Sequence, residues 1–303
     1  MAHCADFTLH VLCLDASTLG ALTALALPRT QLVSMDALVR ADPDLEVCKS
    51  RKPAEFYFTC KPVLLRYLLD RNEGVSRLDY LDSDLYFFSE PSALEAEYAG
   101  SSVALSPHRF DAANADRTRY GRFNAGWVSI GSDGEARRFV EWWRERCIEW
   151  CSLTVEETRF GDQKYLDRVP ALFRRTVVVS HPGANLAPWN IGGCRIEAAE
   201  GGVRVEGRPL VFFHFHGTKR MVFNLYESGL HDYGVALTSA IRQGIYRPYV
   251  AQLAACDRQL LGLPEAIRSN LVPPARRSPR KLARHLLNTA RGLARQSTVF
   301  AVN

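Results

Sequence analysis

Apolar runs of strand length alternate with amphipathic stretches through most of the chain. Phe7 to Leu14 is an apolar run, and Ala16 to Leu27 follows it with helical spacing and Ser17 as the expected cap. Gln31 to Ser34 reads as a short second strand. Ala54 to Leu69 is apolar at helical spacing, and Pro62 inside it is expected to kink the helix or shift its start. Val103 to Ser106, Ala125 to Ile130, Thr176 to Val179 and Leu210 to His214 are further strands. Gly134 to Cys151 and Phe160 to Val169 are the helices between them, with Trp142, Trp143 and Trp150 as packing residues. Strands alternating with helices predict an α/β sandwich around a mostly parallel central sheet. Ligands of such sheets bind beyond the carboxyl ends of the strands.

One apolar run breaks its own pattern. In Asp79-Tyr80-Leu81-Asp82-Ser83-Asp84-Leu85-Tyr86-Phe87-Phe88, two carboxylates one residue apart interrupt large side chains. If the strand continues to Asp84, alternation turns Asp82 and Asp84 to the same side. Burying two unpaired acids that close costs roughly several kcal/mol. A divalent cation with oxygen ligands is the simplest compensation, and at a strand's end it is placed to grip a diphosphate.

Charge narrows the partners. The chain of 303 residues carries a net +5, but from Ala266 onward there are eight Arg and Lys and no acid. The preceding residues are therefore net negative by about three, which excludes a basic nucleic-acid-binding body. The eight cysteines form no CxxC pair, so neither a zinc site nor a thioredoxin-like motif is expected. Cys147 and Cys151, one helical turn apart, suit two buried thiols, and a reducing, cytoplasmic setting is expected. Leu19 to Leu27 is too short to span a bilayer, and no signal peptide or transmembrane helix is expected.

Four segments occur in an order that resembles metal-dependent nucleotide-sugar glycosyltransferases of the GT-A fold, most like glycosyltransferase family 8 and its bacterial relatives. They are Tyr80-Leu81-Asp82-Ser83-Asp84, Phe123-Asn124-Ala125-Gly126, Gly161-Asp162-Gln163-Lys164-Tyr165-Leu166 and His214-Phe215-His216-Gly217. The resemblance implies transfer of a sugar from a nucleoside diphosphate, usually UDP, to a hydroxyl of a glycan or lipid-linked acceptor, with retention at the anomeric carbon. It implies Asp82, Asp84 and His214 as metal ligands, and imidazole beside carboxylates favours manganese, with magnesium as the alternative. It places Asp162 and Gln163 at the donor sugar's reacting face, with Ser83, Asn124 and Gly126 among the donor-binding residues. Gly217 lets backbone approach the phosphates, and Lys219 or Arg220 neutralises them.

Each position has a plainer reading. His214 is equally a type found hydrogen-bonded in a core, and His216, of the same strand parity, competes with it. Asn124 could stabilise its own turn, and Asp162 could cap a helix. Arg51 resembles a nucleotide-contacting position or is a solvated arginine, and His108-Arg109 lies within reach of donor or acceptor. Asn185, Trp189 and Asn190 form an amide- and indole-bearing loop, assigned to the acceptor side or to loop anchoring.

The expected organisation is a GT-A-like domain over 1–262, its usual first strand-helix unit missing or shortened. A basic linker and amphipathic helix over 263–303 form the tail. In that helix Leu282, Leu286, Ala290 and Leu293 share one face and Arg280, Arg284, Arg291 and Arg295 the other. Such a helix suits a peripheral position on an anionic membrane or packing on the domain. Among rival classes, the Asp-x-Asp phosphatases want a small hydroxyl residue where Tyr86 stands, and nucleotidyltransferases need a Gly-rich N-terminal loop that is missing. A catalytically degenerate sugar-nucleotide-binding protein is the non-enzyme alternative.

Overall fold

The computed structural model describes residues 3–4, 6–221, 224–271, 288–289 and 291–300. Strand Leu9–Cys13 pairs in parallel with Thr30–Ser34 across helix Ala16–Leu25. That helix is capped by Asp15 and not by Ser17: the Asp15 carboxylate, on extended backbone, accepts from the Thr18 amide at 2.7 Å. The long helix Pro53–Arg71 starts with proline at its first position, and Glu55 reaches back to the Lys52 amide at 3.3 Å. Pro62 lies inside it without ending it. Burial of Val63, Leu65, Leu68 and Leu69 on the same helix outweighs the roughly 3 kcal/mol that an internal proline costs.

The central sheet is mixed, which corrects the expectation of a mostly parallel one. Its order is Arg77–Leu81, Phe123–Gly131, Val103–Pro107 and Thr176–Val178, and only the last two pair in parallel. The reason lies between Pro107 and Phe123. That connection holds only the 3-10 turn Ala112–Tyr120 where a parallel return needs a crossover helix. Phe123–Gly131 runs between two neighbours with all nine residues buried, so it carries no polar alternation. Helices Pro53–Arg71 and Gly134–Glu149 form a core with this sheet through Val63, Leu65, Phe139 and Trp143. The Asp133 carboxylate caps the second helix, accepting from the Glu135 and Ala136 amides at 2.8 and 3.0 Å. The expected helix Phe160–Val169 is instead a turn, the 3-10 stretch Lys164–Arg168 and the short helix Val169–Leu172.

Strand Phe212–His214 pairs antiparallel with Leu85–Phe87, setting His214 opposite Leu85. A second core gathers behind it around Phe213, Phe215, Tyr246 and Val250. Two small antiparallel sheets were not anticipated: Ile196–Ala199 with Gly202–Val205 and Arg208–Pro209, and Lys219–Arg220 with Leu225–Glu227 and Thr298–Phe300. The Pro273-to-Pro279 linker lies outside the described residues, as do Leu282, Leu286, Ala290, Arg280 and Arg284 of the tail helix. Residues 291–294 are helical, and Leu293 is exposed. All eight cysteines are free, with Cys147 and Cys151 both buried. Among the described residues no helix is long and apolar enough to cross a membrane.

Candidate functional site

The acidic strand stops at Leu81, short of the expected Asp84. The chain then turns through Asp82, Ser83 and Asp84, closed by the Leu85 amide donating to the Asp82 carbonyl at 3.2 Å, before resuming at Leu85. Strand alternation therefore does not govern the two acids, and they go to different partners. Ser83 is exposed at the tip.

Asp84 meets His214. Its Oδ1 lies 3.0 Å from His214 Nε2, and the Asp84 carbonyl accepts from the Phe215 amide at 2.8 Å, tying the turn to the histidine strand. Burial raises the Asp84 carboxyl, but His214 and His216 outweigh it and hold the group below its ordinary value. The ligating atoms of Asp84, His214 and His216 all lie within 4.8 Å of one another. His214 is buried and His216 is exposed at the rim. Trp189 packs its ring edge-on against both, with centroids 5.1 and 5.7 Å away.

Asn124 and Gly126 build the seat of His214. Between Leu105 and Ser106 the partner on the central strand jumps from Val128 to Asn124, a bulge that leaves residues 125–127 unpaired with strand Val103–Pro107. Asn124 Oδ1 accepts from the Gly126 amide at 3.0 Å and faces His214 Nδ1 at 3.2 Å. Only an oxygen can accept from that amide, so the side chain's orientation is set and His214 must donate from Nδ1. The lone pair of a neutral His214 is then on Nε2, aimed at Asp84. Two lone pairs converging at 3.0 Å repel unless a proton or cation lies between them, so this donor set fits a divalent cation. Gly126 has no substitute there, since a Cβ would lie 2.5 Å from His214 Cε1.

Asp82 meets a residue that sequence reasoning missed. Lys61, on the buried face of the long helix, places Nζ 3.0 Å from Asp82 Oδ1 and 3.1 Å from Asp162 Oδ2. The Tyr80 hydroxyl donates to Asp82 at 2.9 Å. Burial pulls the Lys61 ammonium down, but Asp162 and Asp82 more than reverse it and hold it well above its ordinary value. Burial raises the Asp162 carboxyl, and the nearby Asp82 charge adds to this against the opposing pull of Lys61. The available signal was a lysine amid Cys60, Pro62, Val63 and Leu64, because a cation on an apolar helix face must find a counter-charge. Gln163, next to Asp162, donates to the Tyr120 carbonyl at 3.0 Å.

The other expected positions have partners of their own. The Arg51 guanidinium donates to the Cys147 carbonyl at 2.6 Å, to the Ile148 carbonyl and to Thr59 Oγ1 at 2.8 Å, securing the end of helix Gly134–Glu149. Arg220 pairs with Asp257, and Lys219 is exposed beside it. Gly217 adopts φ +78°, with its backbone against Gly229. Asn190 anchors its loop, accepting from the Ala187 amide at 2.9 Å and donating to the His108 carbonyl at 2.8 Å. Asn185, fully buried, donates to the Pro107 carbonyl at 3.4 Å. His108 lies buried beside Asn124, with burial lowering its pKa to about 3, and Arg109 donates to the carbonyls of His181, Pro182 and Ala184.

No protein-family model matches the chain. "Uncharacterized protein YfnD" of Bacillus subtilis (strain 168) is 34% identical over 259 residues, spanning 83% of this chain and 81% of the relative. "Uncharacterized protein YfnF" of the same organism is 33% identical over 227 residues, spanning 72% and 75%. Among solved structures, the galactosyltransferase LgtC in complex with donor and acceptor sugar analogs is similar over 70% of this chain and 77% of its own. At 13% identity and a TM-score of 0.44, that likeness is too distant to assign a fold or activity by itself.

Proposed function

The chain belongs to the same family as YfnD and YfnF of Bacillus subtilis, and we propose that it is a metal-dependent glycosyltransferase of GT-A type. It moves a sugar from a nucleoside-diphosphate sugar, a UDP-sugar by the motif resemblance, to a hydroxyl of a glycan or lipid-linked acceptor. The observation that carries this reading is the pairing of Asp84 Oδ1 with His214 Nε2 at 3.0 Å, its imidazole oriented by Asn124. Asp84 and His214 would hold the cation, manganese before magnesium, with Asp82 in the adjoining ion pair with Lys61. When bound, the cation offsets the charge that develops on a departing diphosphate.

The remaining work falls to the chain's own side chains. Lys61 pairs with Asp82 and Asp162 in a buried setting and adds a fixed positive charge beside the leaving group. Asp162 and Gln163 flank the anomeric carbon, where the sugar's bond to the diphosphate breaks and its bond to the acceptor oxygen forms. Gly217 admits the phosphates close to backbone, and Lys219 with Arg220 lines their approach. Trp189, Asn185 and Asn190 shape the acceptor side. The run of eight Arg and Lys after Ala266, without an acid, suits an anionic membrane surface and a peripheral position on a cytoplasmic face.

Hydrolysis of UDP-sugars without acceptor tests this. Turnover is expected to require manganese and to fall about 100-fold or more in Asp82→Ala and in Asp84→Ala. Unchanged turnover in either variant removes the site assignment. Manganese-dependent binding without turnover in the parent chain would instead mark a sugar-nucleotide-binding protein.

A further inference from the structure

We propose that His216 is a metal ligand, so that Asp84, His214 and His216 form a two-histidine, one-carboxylate site selecting manganese, cobalt or zinc over magnesium, while Asp82 stays with Lys61. This deepens the reading above but rests only on the site's holding a cation, not on its transferring sugar.

Three observations converge on it. The ligating atoms of Asp84, His214 and His216 already lie within 4.8 Å of one another, a separation a single ion can bridge. Both rings are packed by aromatic neighbours: Trp189 lies edge-on to each, and Tyr233 packs against His216 with centroids 6.2 Å apart. The hydrogen bond from His214 Nδ1 to Asn124 is the outer-shell contact that fixes a ligating tautomer. Asp82, by contrast, faces an ammonium at 3.0 Å and a phenol hydroxyl at 2.9 Å through Oδ1, and the same ammonium at 3.4 Å through Oδ2, contacts that compete with an ion.

Ligand chemistry then decides the ion. Magnesium demands oxygen ligands in near-ideal octahedra, whereas imidazole suits later divalent metals, with affinity rising from manganese through cobalt. Replacing one carboxylate by a second imidazole moves the site along that series.

The test uses the full chain and metal alone, with no sugar nucleotide. Competition against a chromophoric chelator is expected to give cobalt binding at least about 100-fold tighter than magnesium. His216→Asn is expected to weaken cobalt about 10-fold or more while leaving magnesium unchanged, and to alter the cobalt d–d spectrum. Asp82→Asn is expected to leave cobalt affinity within about threefold, although the same position is needed for turnover. His216→Cys is expected to restore cobalt binding with a thiolate-to-cobalt charge-transfer band. Because His216 is exposed, its variants should unfold at the parent temperature. Cobalt affinity and spectrum unchanged in His216→Asn, no charge-transfer band in His216→Cys, or magnesium bound as tightly as cobalt would overturn the assignment. Loss of sugar transfer with intact cobalt binding would overturn only the proposed function.

Discussion

Lys61 holds the charge balance of the site at a single position. Removing it leaves Asp82 and Asp162 facing each other, the latter with only 5% of its side chain exposed. Breaking a buried pair in this way costs about 3–5 kcal/mol, because the charge left behind keeps its desolvation penalty. Lys61→Met should therefore lower the free energy of unfolding obtained from urea titration by that amount and abolish turnover. A fully stable variant would mean that Asp162 had already taken up a proton. Gly126 fails for a steric reason: the added Cβ of Gly126→Ala would stand 2.5 Å from His214 and 2.7 Å from Asn124 Oδ1. Neither neighbour can yield without breaking the hydrogen bond that orients the imidazole. Manganese affinity measured by calorimetry should fall about 10–100-fold, the range seen when an outer-shell contact to a metal ligand is lost. Of these residues, Asp84 and His214 stand out in the sequence because their types and order carry chemistry. Lys61 does not, because its partners lie 21 and 101 residues away and a pattern of apolar spacing does not list partners.

At the scale of elements, the helices and strands were largely legible and their ends were not. Helix Gly134–Glu149 is expected from its spacing over Gly134 to Cys151, whereas its Asp133 cap emerges only in the structure. Its far end depends on Arg51, which arrives from another segment to donate to two orphan carbonyls. Arg51→Met should thus destabilise the fold by about 1–3 kcal/mol, the penalty for stranding buried acceptors. It should leave the Michaelis constant for the UDP-sugar unchanged, and a large rise in that constant would restore Arg51 as a nucleotide contact. The bulge between Leu105 and Ser106 is likewise silent in the sequence. It is a property of two strands in register, and it delivers Asn124 and Gly126 to His214.

Across the whole molecule, the site joins segments from the acidic turn, the central strand and the histidine strand, so a bound cation adds a further link between parts already tied by hydrogen bonds. Anything that binds the folded state alone stabilises it by mass action, about 2.7 kcal/mol at a hundred times the dissociation constant. Manganese should raise the thermal midpoint by several degrees, a chelator should return it, and Asp84→Ala should show no rise. An equal rise in Asp84→Ala would place the ion elsewhere. The mixed order of the central sheet belongs to this scale as well. Alternating strands and helices suggested parallel pairing, but the short 3-10 connection before Phe123 turns the chain back beside its predecessor. What the sequence alone determined was the α/β class, the main elements, and the chemistry-bearing acids and imidazole, because periodicity and residue type are local quantities. What only the tertiary structure decided was pairing: which acid meets His214, which meets Lys61, and which tautomer faces the gap. Those outcomes depend on distances between residues far apart in the chain, and hydrophobic patterning constrains such distances only through the fold it produces.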